Sequence, residues 1–147
     1  MAIPYDKNFF DEYFKQNRKR VSEIMGKIAR DILHRSMTHD LELMKDPMHD
    51  KLTRAFPKYK NPDEHLTAEE ANVIYDMSKT SDYQPVYHEH MFQDMTLVQY
   101  IEWLADFKAQ CALDGKDPIY EITLIPNFPQ QIRHILINTL EDWRKIN

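Results

Sequence analysis

Glycine is almost absent from this chain, and its scarcity limits both the fold and the chemistry. Only Gly26 and Gly115 occur among 147 residues. Glycine-rich phosphate loops, such as the Walker and dinucleotide fingerprints, are therefore excluded, so any phosphate chemistry must be organised by side chains or a metal ion. Low glycine content, eight methionines and long segments of helical period together favour helices.

The longest periodic segment runs from Asn8 to about Thr38. Its apolar residues recur mostly at steps of three and four, which is typical of a helix that buries one stripe against partner helices. The segment is long enough to break into two helices near Gln16 and Asn17. The apolar residues of the stripe are Phe10, Phe14, Val21, Ile24, Met25, Ile28 and Ile32.

Two later helices have distinct start signals. Thr67 followed by Glu70 is a capping-box pattern, and Thr96 is the expected N-cap of a helix from Leu97 to about Leu113. The residues before Thr67 are punctuated by prolines and show little periodicity, so they are expected to form a connecting region.

The last third of the chain is predicted to hold one extended segment and one helix. Asp114-Gly115 is a helix stop signal. The stretch PIYEITLIP alternates weakly between proline boundaries, so we expect an extended segment near 118–126. Pro129 then opens a helix that reaches about Trp143. The chain as a whole is predicted to be a single all-α domain over residues 1–147, with about five to six helices.

Composition excludes several classes of protein. The formal net charge of −5 argues against broad nucleic-acid binding, and no apolar run approaches the ~20 residues that span a membrane. A single cysteine, Cys111, excludes a disulfide framework and a multi-cysteine zinc site. The expected location is the cytoplasm. A basic run is expected to be a solvated helix face: Lys15, Arg18, Lys19 and Arg20.

His39 and Asp40 are adjacent at the end of the first periodic segment. Histidine and aspartate are natural ligands for Mn, Fe, Zn or Co, and adjacent residues at a helix end can both reach one ion. The chain also contains a second pair, His49-Asp50, so the dipeptide alone does not choose between a metal site and two surface residues.

Glu102 and Asp106 stand four residues apart and therefore share one face of the predicted 97–113 helix. If that face is buried, the two carboxylates need a cation or a basic side chain to offset their repulsion. Alternatively they belong to a narrow solvated strip, and the sequence leaves both interpretations open. The other members of that strip would be Gln99, Trp103 and Gln110.

Three stretches together resemble a known family. LHRSMTHD, HEHMFQDMTLVQYIEWLADFKA and FPQQIRHILINTL are similar to sequences of small bacterial and tailed-phage proteins related to the HD-domain phosphohydrolases. The similarity runs over nearly the whole chain, and the N-terminal stretch resembles members from T4-type phages, which implies a host-cytoplasm location. The matching residues are Leu33, Arg35, His39, Asp40, Glu89, His90, Met95, Leu97, Glu102, Leu104, Asp106, Phe107 and Ala109.

The resemblance implies a compact HD-domain-like helical bundle with one divalent ion, which would be Mn, Fe, Co, Ni, Zn or Mg. It implies a metal-dependent phosphohydrolase that acts on a small phosphorylated metabolite, such as a nucleotide, through metal-activated water. It favours His39-Asp40 over His49-Asp50, because only the former follows an arginine by four residues. The implied metal ligands are His39, Asp40, Asp106 and His90, and the implied catalytic residues are Glu89, His90 and Arg35.

The chain departs from the family pattern at three places that matter for the site. The stretch VYHEH keeps Glu89 and His90 but shifts the family's other histidine. Asn17 stands where the family has a first-helix histidine, although it is expected to point inward. A lysine after the His-Asp pair is missing, and Lys45 is the expected substitute. The alternative function is therefore a non-catalytic helical phage protein with a degenerate metal site that binds a host or phage protein. A homodimer is left open.

Overall fold

The structure, a computed structural model, describes residues 6–146 and contains helices but no strand in that range. The predicted all-α class and the expected helix number are confirmed. No helix in the described part is long and apolar enough to cross a membrane. The α-helices are α1 (Lys7–Thr38), α2 (Met48–Lys60), α3 (Ala68–Ser78), α4 (Leu97–Leu113), α5 (Pro118–Thr123) and α6 (Gln130–Asp142). Short 3-10 helices cover Leu41–Met44, Pro85–Tyr87, Met91–Asp94 and Trp143–Lys145.

The chain divides into two units, residues 1–38 and residues 39–147. The described part of the first unit is α1, which continues without the break considered near Gln16 and Asn17. Aromatic rings contact one another along it, with the Phe10 and Phe14 centroids 4.4 Å apart and the two rings tilted. No residue of α1 is buried, so the packing of its apolar stripe stays a prediction, as does the single domain over residues 1–147.

The capping signals are confirmed in the second unit. The Thr67 side chain accepts a hydrogen bond from the Glu70 N–H, and the Glu70 carboxylate accepts one from the Thr67 N–H. Thr96 forms the same reciprocal pair with Gln99 at the start of α4. The Asp114-Gly115 stop also lies where it was expected: Gly115 has φ of 67°, a left-handed conformation that glycine adopts without steric cost.

The core of the second unit is built around α4 and α6. Phe92 lies at its centre, with its ring centroid 5.1 Å from that of Trp103 and 4.2 Å from that of Phe128. Leu136 and Leu140 bury the predicted stripe of α6. The buried core residues are Tyr83, Phe92, Met95, Tyr100, Trp103, Leu104, Ile122, Phe128, Leu136 and Leu140.

Two local predictions were wrong. The extended segment expected near 118–126 is helical over Pro118–Thr123, because the Asp117 side chain caps the Ile119 N–H and proline is favourable in a first helical turn. The connecting region expected before Thr67 contains α2, which includes Pro57. Burial of the apolar face of α2, Leu52 and Ala55, offsets the hydrogen bond that a proline inside a helix cannot donate.

Replacing Thr96 with alanine is expected to destabilise the second unit by about 1 kcal/mol, because α4 loses its N-cap acceptor. Thermal unfolding should shift downward by roughly 2–4 °C for a chain of this size. Thr53→Ala is the matched control, since Thr53 is exposed within α2 and its hydroxyl only donates back to the His49 carbonyl oxygen. Equal melting temperatures for Thr96→Ala and Thr53→Ala would show that the cap contributes nothing.

Candidate metal centre

His39 and Asp40 lie in the turn after α1 and begin the second unit. Asp40 has φ of 55°, in the left-handed region that few non-glycine residues other than aspartate and asparagine adopt. The Asp40 carbonyl oxygen accepts a hydrogen bond from the Leu43 N–H at 3.0 Å, which fixes the turn. The turn brings the two side chains together, with His39 Nε2 3.3 Å from Asp40 Oδ2.

The face of α4 that carries Glu102 and Asp106 is turned inward. Their side chains are only 13% and 14% exposed, whereas Leu97 on another face is 69% exposed. Gln99 and Trp103, which would have belonged to a solvated strip, are buried. The solvated-strip interpretation is therefore wrong, and these two carboxylates need a positive partner.

His39 supplies that partner and touches both carboxylates at once. Its Nδ1 lies 3.1 Å from Glu102 Oε1, and its Nε2 lies 3.2 Å from Asp106 Oδ1. One turn of α4 therefore contacts both nitrogens of the same imidazole ring. Nε2 faces two carboxylate oxygens, from Asp40 and Asp106, while Nδ1 faces Glu102.

The remaining oxygens of the two aspartates are held by donors from outside the cluster. The Tyr83 hydroxyl donates to Asp40 Oδ1 at 2.7 Å, and the Gln110 amide donates to Asp106 Oδ2 at 2.6 Å. Each carboxylate thus has one oxygen bound by a neutral donor and the other directed toward His39 Nε2. Tyr83 is almost fully buried, and its ring packs against that of His39 with centroids 4.9 Å apart.

The cluster is rich in negative charge, and the pKa values reflect this. Burial lowers the pKa of His39, but Glu102, Asp40 and Asp106 outweigh it and the pKa is raised above 6.5. Burial raises the pKa of Asp106, and the Asp40 charge raises it further, against the opposing effect of His39. Burial and the hydrogen bond to Asp40 also raise the pKa of Tyr83, so this hydroxyl stays a donor at neutral pH.

The donor set fits a divalent metal ion. One atom each from His39, Asp40 and Asp106 lies within 4.8 Å of the other two. Around an ion with ligand bonds of about 2.0–2.3 Å, neighbouring octahedral ligands are roughly 3 Å apart, close to the 3.2 and 3.3 Å measured from Nε2. An imidazole nitrogen with carboxylate oxygens suits the transition metals, and a dication would balance the negative charge.

The structure brings together three of the four predicted metal ligands. The fourth, His90, is exposed and its Nδ1 contacts Asp94 Oδ2 at 3.1 Å, so it does not take part in this cluster. Glu89 is also exposed and lines a cleft of about 520 Å³ together with Tyr75 and Lys79.

Arg35, Asn17 and Lys45 were also singled out from the sequence. Arg35 belongs to the first unit, where its Nε is 3.5 Å from Asp31 Oδ1. Asn17 lies on α1 in the first unit, so its expected inward direction stays a prediction. Lys45, the expected phosphate-binding substitute, forms an exposed 2.7 Å ion pair with Glu42.

Tyr83 is the member of the site that sequence reasoning missed. It lies in the irregular segment between α3 and the 3-10 helix Pro85–Tyr87 and contacts Asp40 across 43 positions of the chain. No periodicity or motif in that segment marks it. A buried hydroxyl that must find a partner is the physical signal, and it becomes visible only in the fold.

Comparisons with protein-family models, curated proteins and solved structures found no significant match to this chain. The resemblance to the HD-domain phosphohydrolases therefore stays a prediction.

Proposed function

We propose that the second unit is a metal-dependent phosphohydrolase. It holds one divalent ion at His39, Asp40 and Asp106 and hydrolyses a phosphate ester of a small metabolite, with a nucleotide as the first choice. The observation that carries the proposal is the convergence of one imidazole nitrogen and two carboxylate oxygens, each aspartate being fixed at its other oxygen by a separate donor.

The residues of the cluster have distinct tasks in this proposal. Asp40 and Asp106 supply two anionic oxygens, which bind a dication and offset its charge. Tyr83 and Gln110 orient those oxygens without adding charge. A divalent ion in such a site supplies Lewis acidity and lowers the pKa of the water that it coordinates, which is the nucleophile needed for ester hydrolysis.

Three protein ligands leave positions open for water and for a phosphate oxygen, as in catalytic rather than closed structural sites. His39 is about one-third exposed, which keeps the cluster accessible from solvent. The ion would meet part of the phosphate charge, while Lys45 forms an exposed pair with Glu42.

The test is metal-dependent phosphate release. The purified protein is stripped with a chelator, reloaded separately with Mn²⁺, Co²⁺, Ni²⁺, Zn²⁺ or Mg²⁺, and assayed on a panel of nucleoside monophosphates and other phosphate monoesters. We expect release with at least one ion, loss on chelation, and loss in His39→Ala. His49→Ala, which alters the second His-Asp pair, is the matched control and should retain full activity.

Two outcomes would overturn the proposal. Stoichiometric metal binding without phosphate release from any ester would remove the hydrolase and leave a metal-binding protein. The absence of metal in the wild-type protein, measured by elemental analysis after each reload, would remove the site itself and favour the non-catalytic alternative.

A further inference from the structure

We infer that Glu102 is a positioning residue that holds His39 in the tautomer required for metal binding. The inference rests on the proposed metal site but concerns a residue outside the ligand set. In this tautomer the His39 Nδ1–H donates a hydrogen bond to the Glu102 carboxylate. The lone pair of His39 Nε2 is then directed at the space between Asp40 and Asp106.

The Glu102 carboxylate lies against the Nδ1 side of the His39 ring. Its Oε1 is 3.1 Å from His39 Nδ1, and its side chain is 13% exposed. A carboxylate only accepts hydrogen bonds, so the proton shared by these two atoms must be carried by the imidazole. Glu102 therefore favours a proton on Nδ1, in neutral as well as in protonated His39.

The opposite tautomer would block the site. With the proton on Nε2, His39 would donate to Asp106 Oδ1, 3.2 Å away, and the proton would occupy the space that a ligand lone pair must face. Both aspartates favour that state, because each is an acceptor within 3.3 Å of Nε2. Glu102 counteracts them from the other side of the ring.

The helix supplies the spacing for this arrangement. Glu102 and Asp106 are one turn apart on α4, about 6 Å along its axis, so the two carboxylates reach the two nitrogens of one ring. Carboxylate–imidazole–metal arrangements of this kind fix the ring orientation and raise ligand basicity, and loss of the outer partner typically costs 10–100-fold in metal affinity.

The experiment compares Glu102→Ala, Glu102→Gln and Asp94→Asn in two measurements. Titration calorimetry with Mn²⁺ and Co²⁺ gives metal affinity, and nitrogen NMR of the metal-free protein at alkaline pH gives the His39 tautomer. Glu102→Ala should weaken metal binding about 10–100-fold and lose the Nδ1–H tautomer. In Glu102→Gln the amide oxygen still accepts a hydrogen bond. This variant should therefore keep more of the metal affinity and more of the Nδ1–H tautomer than Glu102→Ala.

Asp94→Asn is the matched control, because Asp94 forms an equivalent contact of 3.1 Å with Nδ1 of His90 outside the cluster. It should leave the metal affinity and the His39 tautomer unchanged. Wild-type affinity in Glu102→Ala, or an Nε2–H tautomer of His39 in the wild-type protein, would overturn the inference. If Glu102→Ala does not fold, the tautomer of His39 in the metal-free wild-type protein decides: Nδ1–H supports the inference and Nε2–H overturns it.

The two proposals fail in different ways. A wild-type protein that binds neither ion refutes the proposed function, and the tautomer measured in the metal-free protein then decides the role of Glu102 on its own. A wild-type protein that binds metal while Glu102→Ala binds it equally well refutes only the inference about Glu102.

Discussion

Asp106→Asn should weaken metal binding by more than about 100-fold and abolish metal-dependent phosphate release. Loss of an outer-layer partner already costs 10–100-fold, and Asp106 is a proposed ligand that also carries one of the compensating negative charges. Asparagine keeps the size of the side chain and an oxygen that can still accept from Gln110. The substitution therefore removes the charge with little change in packing.

The same substitution should stabilise the metal-free protein at neutral pH. Burial and the Asp40 charge raise the pKa of Asp106, which means that the folded state disfavours the ionised carboxylate. A higher melting temperature together with lost metal binding would separate a ligand effect from unfolding. Asp114→Asn, at the end of the same helix and paired with Lys60, is the control and should bind metal as the wild type does. Near-wild-type affinity in Asp106→Asn would show that Asp106 is not a ligand.

Features that depend on near neighbours could be predicted from the sequence. The capping pairs Thr67–Glu70 and Thr96–Gln99 form within four residues, so the helix starts follow from local hydrogen bonding. The shared face of Glu102 and Asp106 follows from the helical period alone. The caps and the shared face were confirmed, and the shared face places the two carboxylates of α4 side by side.

The inward orientation of that face could not be predicted, because α4 has apolar residues on more than one side. Leu97 is apolar yet exposed, while Trp103 beside the carboxylates is buried. A large aromatic ring buries more area than a leucine, so its packing against Phe92 and Phe128 accounts for the rotation of the helix. That information lies in distant parts of the chain.

The conformation of the segment after α4 also could not be predicted from its own residues. Proline boundaries and weak alternation favoured an extended segment, although Ile119, Ile122 and Ile125 also recur at helical steps of three. Capping by Asp117 and complete burial of Ile122 select the helix. A six-residue helix is too short to be stable by itself, so tertiary packing decides its conformation.

The metal-free protein should become less stable as pH rises from about 6 to about 8, the range in which histidines titrate. Asp40, Glu102 and Asp106 face His39, and together they raise its folded-state pKa above 6.5 against the effect of burial. A raised pKa contributes stability that is fully present below the unfolded value and is lost as pH rises through the folded value. Asp106, with its pKa raised above 3.8, has the same sign of effect, which begins at lower pH, near its unfolded value.

A bound divalent ion should reverse this trend. Metal ligands must be deprotonated, so binding strengthens as pH rises, and the ion replaces the positive charge that His39 loses. At a free ion concentration of 100 times the dissociation constant, stabilisation is about 2.7 kcal/mol, or roughly 5–10 °C in melting temperature. The metal-loaded protein should therefore melt higher at about pH 8 than the metal-free protein by at least this amount.

Melting curves across this pH range, with chelator and with Mn²⁺ or Co²⁺, measure both effects. His39→Gln removes the titrating group and should flatten the metal-free trend, whereas His90→Gln should leave it intact because His90 faces Asp94 instead. A metal-free wild-type protein that gains stability between about pH 6 and 8 would contradict the charge balance derived for this cluster. A His39→Gln variant that still loses stability with rising pH would contradict it as well. In this charge balance the acidic groups around the His39 imidazole couple folding, protonation and metal binding.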